Sequence, residues 1–370
     1  MSTPMILFLV IATGYIIGAV KVKGFNLGSS GVLIMALIFG HFGFAIPSEI
    51  QQIGLLLFVA SIGLIAGEDF FKSLHLGSIQ YLFIAVVTIA AGMIVCIAVI
   101  MFFHVPTPLA IGIMTGALTS TPGLAAAVET TGDSVASIGY GIAYPFGVIG
   151  VVIFVQLMPR LVKEKDSNIT HSNDQKIQEA HNPIGKLIRI EKHGLFPLAL
   201  AVISGIIIGN IPIPIPGGSF SLGNSGGPLL SGLVISHFGH IGKINLRVEE
   251  TTIEVMRELG MILFLVGAGL KAGNGFVEIL RENGISLLVF GALITTIPLI
   301  TSYVIGRKLV KMGLMQSLGA ICGGMTCTPA LGTLLSTSET GNVVTRAYAM
   351  TYPVALICVI LSCQVIALLF

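Results

Sequence analysis

Long apolar runs dominate this chain, and they fall into two groups separated by one polar stretch. Each group holds five runs long enough to cross a bilayer as a helix. They lie near residues 4–20, 29–46, 51–67, 79–104 and 135–158, then near 194–211, 225–240, 258–273, 284–306 and 343–370. Two further apolar segments, 108–128 and 315–335, each contain a Thr-Pro break. The pattern predicts an all-α polytopic membrane protein.

Composition supports this class and narrows the function. Hydrophobic residues make up 54% of the chain and charged residues only 10%, against about 25% in soluble domains. The net charge of +2 gives no reason to expect nucleic-acid binding. The five cysteines and eight histidines show no metal-ligand spacing, so we expect no metal and no cofactor. No motif of an intramembrane enzyme is present, and we expect a protein without catalytic activity.

Basic residues indicate how the spans are oriented. If the two interrupted segments re-enter the membrane, each half has five spans, and an outside N-terminus puts sixteen of the nineteen Lys and Arg residues on the cytoplasmic side. Six full spans per half would destroy this bias. We therefore predict five transmembrane helices plus one broken, re-entrant element per half, with both termini outside.

The two halves are also related in sequence. Seven of fourteen positions are identical between Gly54–Gly67 and Gly260–Gly273, 206 residues apart. Because each repeat has an odd number of spans, the two repeats are predicted to be inverted in the membrane. The domains are then an N-terminal membrane repeat (1–159), a polar cytoplasmic linker (160–193) and a C-terminal membrane repeat (194–370).

The segment Gly116–Gly123, Gly-Ala-Leu-Thr-Ser-Thr-Pro-Gly, predicts a break in a helix. A residue before proline is disfavoured in helical geometry, so we expect residues 119–121 to be unwound, with Thr121 capping a new helix and Pro122 in its first turn. The free N–H groups and positive dipole end of that helix favour an anion. The alternative interpretation is a proline kink stabilised by threonine hydroxyls.

The same motif returns 207 residues later at Gly323–Ala330, with six of thirteen positions identical between 112–124 and 319–331. Matched breaks in two halves of a membrane protein point to a transporter binding site. Arg346 is a further candidate, as a cation for a substrate carboxylate or as an interfacial residue paired with Glu339. The candidate substrate-binding residues are Thr119, Ser120, Thr121, Pro122, Gly123, Thr326, Cys327, Thr328, Pro329, Ala330 and Arg346.

Other residues are candidates for an ion site or for the cavity wall, each with an alternative role. The small residues of the third span in each half would either line the site or allow close helix packing; they are Ser61, Gly63, Gly67, Gly267 and Gly269. Glu129 and Glu339 would be helix caps or ligands for a proton or ion. Tyr144 and Tyr352 precede prolines that would kink the last span of each half, freeing carbonyl groups for a cation or for water.

These motifs resemble the aspartate:alanine exchanger family. The resemblance is carried by Gly116–Pro122 with Gly139–Pro145, and by Gly323–Pro329 with Ala347–Pro353. It implies exchange or export of small carboxylates such as aspartate, alanine or succinate across the bacterial inner membrane, by a homodimer. Many members carry regulatory cytoplasmic domains between the halves, and this chain has only a short linker.

Together these observations predict a secondary active transporter that moves a small carboxylate or amino acid by alternating access, as an exchanger. A sodium- or proton-coupled organic-anion symporter is the alternative, and a passive channel is a further one. The expected partners are the small organic anion or amino acid, the lipid bilayer and a second copy of the chain.

Overall fold

The computed structural model describes residues 1–20, 29–72, 79–162, 188–215, 218–274, 276–337 and 341–370. Residues 163–187 of the predicted linker lie outside the described residues, and so does Glu339.

The helices of the first half overlap the predicted apolar segments. They are α1 (Thr3–Ala19), α2 (Ser30–His41), α3 (Ser48–Lys72), α4 (Ile79–Phe103), α5 (Thr107–Ala117), α6 (Thr121–Thr131) and α7 (Val135–Leu161). Of these, α3, α6 and α7 extend beyond the predicted segments.

The helices of the second half follow in the same order. They are α8 (Leu195–Gly209), α9 (Gly223–Phe238), α10 (Glu250–Ala272), α11 (Phe276–Val304, continued by a π-helical turn over Ile305–Leu309), α12 (Leu314–Gly324), α13 (Thr328–Thr337) and α14 (Gly341–Leu369). Two short antiparallel pairs of strands flank α9, β1 (Ile213–Ile215) with β2 (Gly218–Phe220) and β3 (His240–Ile241) with β4 (Ile244–Asn245).

The prediction of an all-α polytopic membrane protein is confirmed. Five helical segments of the described residues are long and apolar enough to cross a membrane, and α1, α2, α5 and α8 contain shorter apolar helices. The five long segments are Ser48–Gly67, Ile79–Phe103, Val135–Leu161, Gly284–Leu309 and Val343–Leu369.

The helices form two bodies. In the first, which we call the scaffold body, α1, α2 and α3 pack with α8, α9 and α10. In the second, the core body, α4 to α7 pack with α11 to α14. Both halves of the chain contribute three helices to the scaffold body and four to the core body, so the halves are interleaved rather than side by side.

Glycines let the scaffold helices approach closely. A methyl group at Gly63 would collide with the Leu229 carbonyl oxygen of α9, and one at Gly67 with that of Leu233. Gly267 and Gly269 likewise face side chains of α3 and α2. Close packing therefore accounts for all four glycines, and it is one of the two roles predicted for them.

Helices α3 and α10, which occupy equivalent positions in the two halves, run antiparallel against each other. Gly54 abuts Phe264, and Gly260 abuts Phe58, so residue numbers rise along one helix as they fall along the other.

Each pair of short helices folds back as a hairpin. Helix α7 runs parallel to α5, because Gly112 abuts Ala136 and Gly116 abuts Tyr140. Only three residues connect the end of α6 at Thr131 to the start of α7 at Val135, so α6 has to return along α5. The second half repeats this arrangement, since α12 lies beside the start of α14 in the same way. Each half therefore contains one helical hairpin at the position of its predicted broken element.

Candidate functional site

The two helix breaks meet and bind each other reciprocally. The Thr119 hydroxyl donates to the carbonyl oxygen of Met325 over 2.8 Å, and the Thr326 hydroxyl donates to that of Leu118 over 3.0 Å. Both threonines adopt left-handed backbone conformations, with φ of 56° and 50°. This conformation is rare for β-branched residues, and it persists because the surrounding structure holds it in place.

Ser120, rather than Thr121, caps helix α6. The Ser120 side chain accepts the backbone N–H of Gly123 over 3.2 Å, while Thr121 is the first helical residue. The predicted cap was therefore wrong by one position, because the left-handed turn falls at Thr119. Cys327 has the equivalent place before α13, and its side chain lies close to the N–H of Ala330.

Threonine–tyrosine pairs stand beside both breaks. The Thr121 hydroxyl lies 3.0 Å from the hydroxyl of Tyr140 on α7, and the Thr328 hydroxyl lies 3.0 Å from that of Tyr348 on α14. Tyr140 and Tyr348 were not among the residues selected from the sequence, although they recur in the two Tyr-x-x-x-Tyr-Pro motifs. The recurrence was the signal that would have found them.

Tyr144 and Tyr352 extend these pairs along α7 and α14. Each ring lies 5.2 Å, between centroids, from the hydrogen-bonded tyrosine one turn earlier. The following prolines, Pro145 and Pro353, lie inside the helices, which continue past them. Each half thus places one threonine and two tyrosines next to the start of a short helix.

The two breaks differ in exposure. Pro122 is buried and Thr121 is half-buried, whereas Thr328 and Pro329 are exposed. The difference follows from packing, because α6 contacts α9 and α10 of the scaffold body, while the main contacts of α13 are with α7, α12 and α14 of the core body. One break is therefore covered and its equivalent is open. Gly123 and Ala330, which follow the two prolines, are buried.

Glu129 caps a helix of the other body. Its carboxylate accepts the backbone N–H groups of Asn224 and, over 2.7 Å, Ser225 in the first turn of α9. Nearby, the Gln364 amide of α14 donates to the two carbonyl oxygens of residues 221–222, over 3.2 and 3.1 Å. Of the two predicted roles of Glu129, the structure supports the cap. These bonds tie the core body to the scaffold body at the end where α6 terminates.

Arg346 does not join the Thr328–Tyr348 pair. It is exposed, and it lies within electrostatic reach of Tyr81 on α4. Because Tyr348 follows it by two residues, the two side chains leave α14 on nearly opposite faces.

One basic residue near the open break was not among the candidate site residues predicted from the sequence. Arg257 of α10 is half-buried and lies within electrostatic reach of Tyr352. In the sequence it was one of many basic residues on the predicted cytoplasmic side, and no local pattern distinguished it.

Comparisons with known proteins agree with this architecture. Residues 6–160 and 197–368 match a family described as a predicted permease membrane region. Uncharacterized transporters of Bacteroides fragilis and Bacteroides thetaiotaomicron are 29% and 28% identical to this chain, over 98% of the chain and 97% of each relative. One of Desulfotalea psychrophila is 27% identical, over 96% of the chain and 95% of the relative.

The fold, the paired breaks and these matches define a multi-pass membrane permease. The chain belongs to the aspartate:alanine exchanger family, as its motifs predicted. The alignments extend over 514 to 517 positions, against 370 residues here, so these relatives contain residues without a counterpart in this chain.

Proposed function

We propose that the protein is a secondary active transporter that exchanges a small carboxylate or amino acid across the bacterial inner membrane. The observation that carries this proposal is the meeting of two equivalent helix breaks, held together by the Thr119–Met325 and Thr326–Leu118 hydrogen bonds. Each break places the N-terminus of a short helix inside the core body, where its positive partial charge favours an anion. The hydroxyls of Thr121 and Thr328 would orient the substrate.

Alternating access would come from movement of the core body against the scaffold body. The antiparallel course of α3 and α10 supports two inverted repeats, and such repeats can exchange their conformations across a membrane. The exposed Pro329 and the buried Pro122 are what we expect of a state open on one side only. In the opposite state, the bonds from Glu129 and Gln364 to the α9 end would be broken.

The family supports the substrate class, and the site chemistry is compatible with it. A carboxylate accepts hydrogen bonds from hydroxyl donors, and both breaks supply such donors through Thr121 and Thr328. A membrane orientation with both termini outside, and a homodimer, complete the proposal. Arg346 is left out of the substrate site, because it lies on the face of α14 away from Tyr348.

The proposal can be tested with purified protein in liposomes preloaded with unlabelled L-aspartate, L-alanine, L-glutamate or succinate. Uptake of labelled external substrate that needs internal substrate but no ion gradient would establish exchange. Uptake into empty liposomes driven by a sodium or proton gradient would make the protein a symporter instead. Non-saturable flux without counterflow would indicate a channel and contradict the proposal.

A double variant tests the site itself. Thr121→Val with Thr328→Val removes both hydroxyls with little change in shape, and we expect it to fold and to lose substrate binding. Thr13→Val is the matched control, because among the described residues the Thr13 hydroxyl of α1 bonds only to carbonyl oxygens of its own helix. Normal affinity in the double variant would rule out this site.

A further inference from the structure

Arg257 is a half-buried cation for which the described part of the chain supplies no partner. It lies in the third turn of α10, half-buried, and its guanidinium is within electrostatic reach of the Tyr352 hydroxyl. Among the side chains that the structure describes, it has no hydrogen-bond or ion-pair partner. Arg257 directly precedes the apolar run near 258–273, and partial burial of a guanidinium is costly unless the group is paired or binds the transported solute.

A second unpaired polar group lies beside it. The Ser61 hydroxyl of α3 is fully buried and has no hydrogen-bond partner among the described residues. Because α3 and α10 are antiparallel with Phe58 against Gly260, Ser61 and Arg257 both lie one turn beyond that contact, in the same direction. Helix α3 also contacts α14, which carries Tyr352. Two polar groups without partners therefore lie where the scaffold body faces the core body.

The charge is present in only one half. The position equivalent to Arg257, at the 206-residue offset of the repeat, is Gln51. Gln51 packs against Gly267 and is neutral. Arg257 also lies on the side of the core body where Thr328 is exposed. Its neighbour Tyr352 stacks on Tyr348, and the Tyr348 hydroxyl is hydrogen-bonded to that of Thr328.

We propose that Arg257 selects anionic substrates by binding a substrate carboxylate between the scaffold body and the open break of the core body. This inference rests on the proposed carrier function and adds the residue that recognises charge. A guanidinium holds a carboxylate through two parallel hydrogen bonds, and Tyr352 and Thr328 supply hydroxyl donors from the opposite body. Because the cation and the hydroxyls belong to different bodies, an anionic substrate would draw the two bodies together.

The test compares Arg257→Gln, Arg257→Lys and the control Arg346→Gln in the exchange assay. The probes are L-aspartate with its neutral-side-chain analogue L-asparagine, and succinate with its diamide analogue succinamide. For Arg257→Gln we expect the half-saturation concentration for L-aspartate and succinate to rise about tenfold to a hundredfold, with a smaller change in maximal rate. Arg257→Lys should recover part of the loss, and Arg346→Gln should behave as wild type.

Arginine modification provides a measurement that needs no variant. Phenylglyoxal reacts with accessible guanidinium groups, and peptide mass spectrometry locates the product. We expect succinate, but not succinamide, to protect Arg257 in the wild-type protein and to leave Arg346 unprotected. Equal protection of both residues, or none, would overturn the inference.

The outcomes separate this inference from the proposed function. Exchange of L-aspartate that is unchanged in Arg257→Gln would refute the role of Arg257 and leave the carrier intact. Protection of Arg257 by succinate without any exchange or gradient-driven uptake would support the anion site and remove the carrier function. If neither protection nor transport occurs, both are wrong.

Discussion

The hydroxyl of Thr119 and the carbonyl oxygen of Met325 are joined by a 2.8 Å hydrogen bond, which links the break in one half of the chain to the break in the other. Thr119→Val keeps the shape of the side chain and leaves that carbonyl without its donor. We expect a loss of about 1–3 kcal/mol in the free energy of unfolding, because the group is buried. Denaturant unfolding in detergent would measure it.

The control for this variant is Thr13→Val, which removes a hydroxyl bonded within helix α1. We expect little change there. If Thr119→Val were as stable as Thr13→Val, the reciprocal bonds would not hold the breaks together.

The cap of α6 gives a second prediction, because the equivalent position before α13 holds a cysteine that can replace Ser120 conservatively. Ser120→Ala removes the acceptor of the Gly123 N–H and should cost about 1 kcal/mol of stability. Ser120→Cys introduces the residue found at the equivalent position, Cys327, and should cost less. Equal unfolding midpoints for the alanine and cysteine variants would contradict the cap.

Packing of α5 against α7 depends on Gly112. A methyl group there would collide with the Ala136 carbonyl oxygen, so Gly112→Ala should destabilise the protein by about 1–3 kcal/mol. Gly332 of α13 has open space around it, and Gly332→Ala should be neutral or stabilising by up to about 1 kcal/mol. Thermal unfolding of the two variants in one detergent would compare them, and the same sign for both would be inconsistent with this packing.

Glu129 gives a prediction about conformation rather than stability alone. Glu129→Ala removes the acceptor that binds the first turn of α9, so the covered break should open more often. The rate at which a maleimide labels Thr121→Cys, in a background without the five native cysteines, should rise several-fold. Labelling of Thr328→Cys, which starts faster because that residue is exposed, should fall or stay unchanged.

Glu254→Ala is the matched control for Glu129→Ala, since Glu254 is an exposed carboxylate of α10. It should leave both labelling rates as they were. A Glu129→Ala protein that labels like the Glu254→Ala control would show that the α9 contact does not hold the covered break closed.

Local sequence determined much of this molecule. Apolar runs located the helices, as in the run near 79–104 and helix Ile79–Phe103, because a bilayer-crossing helix needs continuous apolar length. Helices α10 and α11 nevertheless begin well before their predicted runs, at Glu250 and Phe276, where the sequence is still polar. The duplicated Thr-x-Thr-Pro motif located both breaks, since a proline in the first turn of a helix marks where that helix begins. The unwound residue proved to be the first threonine of each motif, while the threonine before each proline begins the new helix. The same motifs identified the family.

Tertiary structure alone decided how these elements act together. Thr119 meets Met325 across 206 residues, and Glu129 caps a helix 95 residues away, distances over which no local propensity operates. The two breaks have nearly the same sequence, yet Pro122 is buried and Pro329 is exposed, because their exposure depends on which body packs against them. No sequence pattern distinguished Arg257 from the other basic residues, and only the folded structure places it near Tyr352. Sequence determined where the chain can form and break helices, and packing between the two bodies determined which side chains share a site.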